Sequence, residues 1–211
     1  MTKHTPRTHF VRNSRVLRRA DEIIDAAARV FAQRGYHGTT TQAIADVLGM
    51  RQASLYYYFP SKEAALEEVC ARGTDGFVGG AERVLQLDAP PLEKLTLLIA
   101  SHLAPIDTMP DYVRVFINER RYLPDASRKR IGRKSRRIER IFELVIEAGI
   151  EDGSIKPGVD ARLTMLAVLG MLNAVINWRA CDQCQDIEAI AAGFVRLVAD
   201  GIAVTNSAVK R

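Results

Sequence analysis

An all-α fold follows from three features of this 211-residue chain. Apolar residues recur at helical spacing, the alternation expected of strands is almost absent, and glycines and prolines punctuate the periodic stretches. Apolar residues make up 47% and charged residues 26%, the balance of an ordinary globular protein rather than a disordered or fibrous one. The length suffices for a buried core, in one large domain or in a small domain beside a medium one.

Residues 18–34 carry Ile24, Ala27, Ala28 and Phe31 on one face, and Gly35 follows as a stop signal, which predicts a first helix. Thr39, Thr40 and Thr41 offer capping hydroxyls before Ile44 and Val47, and Gly49 ends a short second helix. A third, from about Arg51 to Tyr58, fits between Gly49 and Pro60, because the residue before a proline is pushed out of the α region. Ser61 caps a long fourth helix through Glu63, Leu66 and Val69 to about Leu87. Pro90 and Pro91 mark a joint, beyond which helices are expected at about 92–104, 111–121, 125–149, 159–179 and 187–204. The connections are mostly short, as in a compact bundle. Segments 1–15 and 206–211 are polar enough to be disordered.

Charge is uneven along the chain. Residues 1–62 hold 10 Lys and Arg against 4 Asp and Glu, whereas residues 63–211 hold 20 against 21. A basic first third on a near-neutral remainder points to a polyanion partner for that part alone, nucleic acid first. The run from Leu163 to Trp178, interrupted by Asn173 and Asn177, falls short of the roughly 20 residues of a membrane span, and no secretory signal is read at the start. Cys70, Cys181 and Cys184 are too few and odd for a disulfide framework. The expectation is a cytoplasmic protein with no membrane partner.

The second and third helices, joined by Leu48-Gly49-Met50, have the spacing of a helix-turn-helix, with the first helix completing a small core. Ile44, Ala45, Val47, Leu48 and Leu55 are expected to pack on Ile24, Ala28 and Phe31. Arg51, Gln52, Ala53, Ser54 and the tyrosines then face outward. Arginine donates twice to guanine, glutamine pairs with an adenine edge, and alanine contacts the thymine methyl.

These residues carry a resemblance. Residues 23–66, with Phe-Ala-Gln-Arg-Gly-Tyr-His-Gly-Thr-Thr-Thr, Ile-Ala, Leu-Gly and Ser-Leu-Tyr-Tyr-Tyr-Phe-Pro-Ser-Lys-Glu-Ala-Ala-Leu in order, resemble the DNA-binding domain of the tetracycline-repressor (TetR) family without a gap. The resemblance implies an Ω-shaped homodimer on double-stranded operator DNA, with a three-helix head and a C-terminal body for ligand and dimerisation. Carried over by position, Thr40, Thr41 and Gln42 start the supporting helix and Gln52, Ala53 and Ser54 face the bases. Tyr56 and Lys62 hold phosphate, and Tyr58 stands where the family often has histidine. The tyrosines also admit plain packing, expected above all for Tyr57, and Lys62 a solvated role. The division that follows is a flexible basic arm at 1–15, a helix-turn-helix domain at 16–62, and a ligand and dimerisation domain at 63–205. Lys3, Arg7, Arg12, Arg15, Arg18 and Arg19 either enter a minor groove or remain solvated.

The body holds no phosphate loop, nucleophile elbow or His-Glu-x-x-His pair, and no cofactor or metal is expected. Cys181-x-x-Cys184 reads as a loop. Leu163, Leu166, Ala167, Gly170 and Ala174, with Ile190, Phe194, Val195, Leu197 and Val198, form more apolar surface than the body covers, which suits a two-fold four-helix bundle between two chains. Asn173, Asn177 and Trp178 interrupt an apolar helix and either satisfy one another or line a ligand cavity with Tyr112, Phe116 and Met171. Eight cations from Arg128 to Arg140, opposed within that stretch only by Glu139, are either a solvated face or a site for phosphates beside an apolar tail. Phe116-Ile-Asn-Glu-Arg-Arg-Tyr-Leu-Pro with Gly170-Met-Leu-Asn is similar to TetR-family repressors of fatty-acid and steroid catabolism that sense acyl-CoA thioesters. The expected function is a ligand-released, non-enzymatic DNA-binding repressor with a small hydrophobic effector such as an acyl-CoA. A constitutive DNA-binding protein and an enzyme with a fused DNA-binding head are the alternatives.

Overall fold

The computed structural model describes residues 8–178 and 186–204, so Lys3, Arg7, Cys181 and Cys184 lie outside the described residues. Nine α-helices are present among the described residues: α1 (Thr8–Gly38), α2 (Thr41–Val47), α3 (Gln52–Leu55), α4 (Lys62–Leu85), α5 (Pro91–Thr108), α6 (Pro110–Glu119), α7 (Asp125–Glu151), α8 (Ala161–Trp178) and α9 (Ile187–Ile202). A single 3-10 turn, Arg120–Tyr122, links α6 to α7.

The helix ends obey local chemistry. Gly35 takes φ 66° and ends the regular part of α1, a conformation that costs glycine little. Thr40 Oγ1 accepts the Ala43 N–H at 3.1 Å and Ser61 Oγ accepts the Ala64 N–H at 3.2 Å, each meeting one of the amide donors that a helix start leaves open. Pro91 and Pro110 open α5 and α6, where no amide proton is needed.

Helices α1 to α3 form the head, with Ile23, Ile24, Ala27, Ala28, Phe31, Ile44, Ala45 and Leu55 buried. Three expectations are corrected here. α1 is already helical at Thr8, inside the stretch expected as an arm, since nothing between Thr8 and Arg34 breaks a helix. Val47 is 45% exposed and does not join the core. α3 stops at Leu55, so Tyr56 to Tyr58 lie in a turn; Leu55 and Phe59 take the core positions and Tyr57, expected inside, is 82% exposed.

In the body, α4 lies against α5, α6 and α7. Gly73 permits the closest approach, because a Cβ there would meet Tyr112 O of α6 at 2.8 Å. α8 and α9 close the far side. By length and composition alone α8, Ala161–Trp178, is apolar enough to cross a membrane (18 residues, mean hydropathy 1.3), a property that the core helix of a soluble protein shares. One face of it, with Met165, Val168, Leu169, Leu172, Val175 and Ile176, is buried in the body. The other leaves Leu163 65% and, on α9, Leu197 60% exposed.

Candidate nucleic-acid interface and body cavity

α2 and α3 present one polar surface. Arg51, Ala53 and Ser54 are exposed on it, and Gln42 is exposed with its amide held by Asp46 Oδ1 at 2.6 Å. Gln52 Nε2 donates to Thr41 Oγ1 at 2.6 Å, and the Tyr56 hydroxyl lies 3.4 Å from the same oxygen. A side chain fixed in this way loses less rotamer entropy on meeting a base than a free one. Thr40 spends its hydroxyl on the α2 cap, so it positions the helix. Tyr58 is half-buried and edge-on to Tyr57 at 5.3 Å.

Lys62 is occupied more than its sequence position suggests. Nζ donates to Tyr36 O at 2.9 Å and Thr39 O at 3.1 Å, and stands 4.0 Å from the centre of the Tyr36 ring. Two of its three N–H donors therefore hold the carbonyls at the end of α1. Tyr36 donates its hydroxyl to Glu63, a bond that holds the Glu63 carboxyl below its ordinary range and pushes the Tyr36 phenol up to about 12.

Head and body meet at that same corner. The Tyr36 amide donates to Glu119 Oε2 at 2.8 Å, and Tyr122 stacks on Tyr36 at 5.2 Å and meets His37 edge-on at 4.6 Å. Farther along α1, Tyr112 donates its hydroxyl to Asp25 at 2.5 Å and Arg72 donates to Asp21 at 2.6 Å. Burial, with the Asp25 contact behind it, raises the Tyr112 pKa.

The body contains a cavity of about 220 Å³ walled by Phe77, His102, Phe116, Ile138, Leu169 and Asn173, with Leu166 and Gly170 at the α8 wall. Its other polar lining groups are Arg120, Ser135 and Glu139, and these three also line a second cleft of about 470 Å³ with Arg121, Arg128 and Arg136. A chamber with apolar walls and a polar side at Arg120, Ser135 and Glu139 thus shares that side with a cleft carrying four guanidinium groups.

Helix periodicity sorts the basic run of α7. Arg130, Lys134 and Arg137 fall on one face and pair with Glu67, Asp75 and Glu82 of α4, the Arg130 pair at 2.5 Å and the Arg137 pair at 3.1 Å. Arg140 pairs with Glu143 at 3.1 Å and Glu147 at 3.2 Å. Arg128 and Arg136 lie on the cleft face, Arg128 also pairing with Asp125. The run is therefore neither wholly solvated nor wholly turned to the cleft.

Of the six residues expected to line a ligand cavity, Phe116 and Asn173 stand in the wall of the 220 Å³ cavity. Tyr112 instead ties α6 to α1. Met171, about 100° around α8 from Gly170, lies in the outer groove between α8 and α9 with Leu163, Ala167 and Leu197. Asn177 accepts from Asn118 at 3.2 Å, and Trp178 stands edge-on to Phe194 at 6.0 Å. The sequence reading missed His102, Phe77, Arg120, Arg121 and Glu119. Only the proximity of Glu119-Arg120-Arg121 to Phe116 was a usable signal.

A helix-turn-helix with an outward polar surface, carried on a helical body with a cavity, defines a DNA-binding regulator. Residues 23–69 match the bacterial regulatory proteins of the tetR family, and residues 88–202 match the tetracyclin repressor-like C-terminal domain. The chain belongs to the TetR family of transcriptional regulators. It is 28% identical over 185 residues to the HTH-type transcriptional repressor KstR2 of Mycolicibacterium smegmatis, covering 87% of this chain and 90% of that one. AibR, solved in complex with isovaleryl coenzyme A and operator DNA, superposes with a TM-score of 0.78 at 28% identity, over 85% of this chain and 97% of that one. FadR of Bacillus subtilis, solved in complex with stearoyl-CoA, gives 0.72 at 28% identity over 86% and 98%.

Proposed function

We propose that this protein is a cytoplasmic, homodimeric repressor released from its operator by a coenzyme A thioester. The observation that carries the reading is the cavity with Phe77, Phe116, Ile138 and Leu169 in its walls sharing Arg120, Ser135 and Glu139 with the arginine-lined cleft. A thioester is apolar at its acyl end and carries phosphates at the other. Guanidinium groups suit those phosphates through paired, charge-assisted hydrogen bonds. The coenzyme A complexes of AibR and FadR support the same assignment.

Arg51, Gln52, Ala53 and Ser54 read base edges in this account, with Thr41, Gln42 and Tyr56 beside them and Tyr58 and Lys62 toward the backbone. The exposed face of α8 and α9 takes a second copy of the chain, which suits a palindromic operator. Leu166 and Gly170 line the cavity and also belong to that face, so the second copy closes the chamber.

Release runs through Glu119 to Tyr122. Arg120 and Arg121 line the cleft, while Glu119 and Tyr122 on the same short segment hold Tyr36. A ligand that draws Arg120 toward its phosphates moves the grip on α1, and α4 carries the displacement to the head. Only a difference in ligand affinity between the two head arrangements supplies the coupling, about 1–3 kcal/mol, and it is reciprocal.

The test is fluorescence anisotropy of operator DNA titrated with coenzyme A thioesters. Release by a thioester but not by free coenzyme A or the free acid, weakened about tenfold or more in Arg120→Ala/Arg136→Ala, is the expected result. No release by any thioester overturns the ligand assignment.

A further inference from the structure

The cavity is not purely apolar. His102 is buried in its wall, its ring stacked on Phe77 at 4.5 Å and edge-on to Phe142 at 6.0 Å, so its plane is fixed by packing. Its Nε2 lies 3.2 Å from Asn173 Oδ1. An amide oxygen only accepts, so the imidazole is the donor and its proton sits on Nε2. Burial lowers the His102 pKa to about 4, which keeps the ring neutral near pH 7. The bond orients the Asn173 amide, and among the described residues the Nδ2 group makes no hydrogen bond. Two N–H donors on a residue in the α8 wall, where its neighbours Leu166, Leu169 and Gly170 are apolar, are left for whatever enters the chamber.

We infer that Asn173, positioned by His102, selects the ligand by donating a hydrogen bond to a carbonyl or hydroxyl oxygen, so that the cavity takes a compact oxygen-bearing group in preference to a plain hydrocarbon. The inference deepens the coenzyme A thioester reading and rests on it for the remainder of the ligand. The reason is desolvation. In the open chamber water satisfies the amide; a hydrocarbon that fills the chamber expels that water and leaves the donors bare, at a cost of about 5- to 150-fold in affinity. An oxygen in the right place removes that loss, which is why sites built to hydrogen-bond a substrate oxygen discriminate more sharply than sites built for one methylene more or less. Size points the same way: an apolar cavity of about 150 Å³ holds benzene, so one of about 220 Å³ suits a compact group better than a long chain.

Two ligand oxygens meet this description, the thioester carbonyl itself and an oxo or hydroxyl group farther along the acyl chain. The experiment compares cyclohexanone with cyclohexane by thermal shift, and 3-oxobutyryl- with butyryl-coenzyme A by calorimetry, on wild type, Asn173→Asp and Asn173→Leu. Asn173→Asp keeps the shape and removes both donors, so it stays informative if Asn173→Leu folds poorly. The expected result is a wild-type preference of about tenfold or more for cyclohexanone that Asn173→Asp abolishes. A thioester preference that follows it places the oxygen on the acyl chain; equal weakening of both thioesters by Asn173→Asp places it at the thioester carbonyl. Thioesters that fail to bind while cyclohexanone is still preferred remove the coenzyme A reading and leave the donor assignment standing. Equal affinity for cyclohexanone and cyclohexane in wild type and Asn173→Asp alike overturns the inference.

Discussion

Head and body hold their functional groups by different means. On the head, the polar side chains proposed to meet DNA are already bonded to neighbours: Gln52 to Thr41, Tyr56 beside both, Gln42 to Asp46. In the body, the candidate ligand surface is a space between α4, α5, α6, α7 and α8, walled by packed apolar groups, crossed by the His102–Asn173 pair and edged by Arg120, Ser135 and Glu139. A reader must present the same pattern at every encounter, which short hydrogen bonds enforce. A sensor must let its walls settle on a ligand, which helix packing allows. Glu119 to Tyr122 touch both regions.

The contrast breaks most visibly at the outer face of the body. Leu163→Asp with Leu197→Asp puts two carboxylates on the exposed apolar surface without touching the cavity core. Sedimentation should report a monomer, and operator affinity should fall by about 1,000-fold or more, since one helix-turn-helix reads too few base pairs alone. An intact dimer with full affinity would place the interface elsewhere.

Next in size is the acid sensitivity of the body. The folded-state pKa of His102 lies below its unfolded value, so the unfolded chain binds the proton more readily between about pH 6.5 and 4. Its share of stability is present above pH 6.5 and is lost as pH falls through that window, by up to about 3 kcal/mol. Denaturant melts from pH 7 to 4 should therefore be flatter in His102→Gln than in wild type, and identical slopes would contradict the buried neutral imidazole.

The head responds to sequence instead. Gln52→Ala should lose about 1–3 kcal/mol on cognate operator and much less on random DNA, relaxing one position per half-site. Equal losses on both would make Gln52 a bracket for Thr41 rather than a reader.

The same contrast governs how far the amino-acid sequence discloses each region. In the head, caps, turns and candidate reading residues lie within one short stretch; spacing alone placed Ser61, Ile44 and Leu55 as found, and narrowed the α2 cap to Thr39, Thr40 or Thr41, of which Thr40 serves. It went wrong where the helical period stopped, at Tyr57, because nothing local announces that α3 ends after Leu55. In the body the helices were legible, but the cavity joins Phe77 to Asn173 across about a hundred positions. Asn173 and Asn177 share one helical phase, yet only Asn173 reaches the chamber. The acids of α4 that pair with the cations of α7 were hidden for the same reason.

The smallest effect expected is at Lys62. Because two of its donors hold carbonyls at the end of α1, Lys62→Ala should cost about 1 kcal/mol of stability and weaken cognate and random DNA alike. Unchanged melting with weakened binding would restore a pure phosphate role.

The central claim is that ligand in the body and DNA on the head communicate through the segment that touches both. Glu119→Ala with Tyr122→Leu cuts the grip on Tyr36 without removing Arg120 or a cavity residue. Thioester affinity, measured by calorimetry with and without operator, is the direct test. Wild type should bind the thioester about 5- to 150-fold more weakly on operator than off it, and the double variant should bind it equally in both states. A double variant that keeps the full wild-type difference would show that the coupling runs by another route.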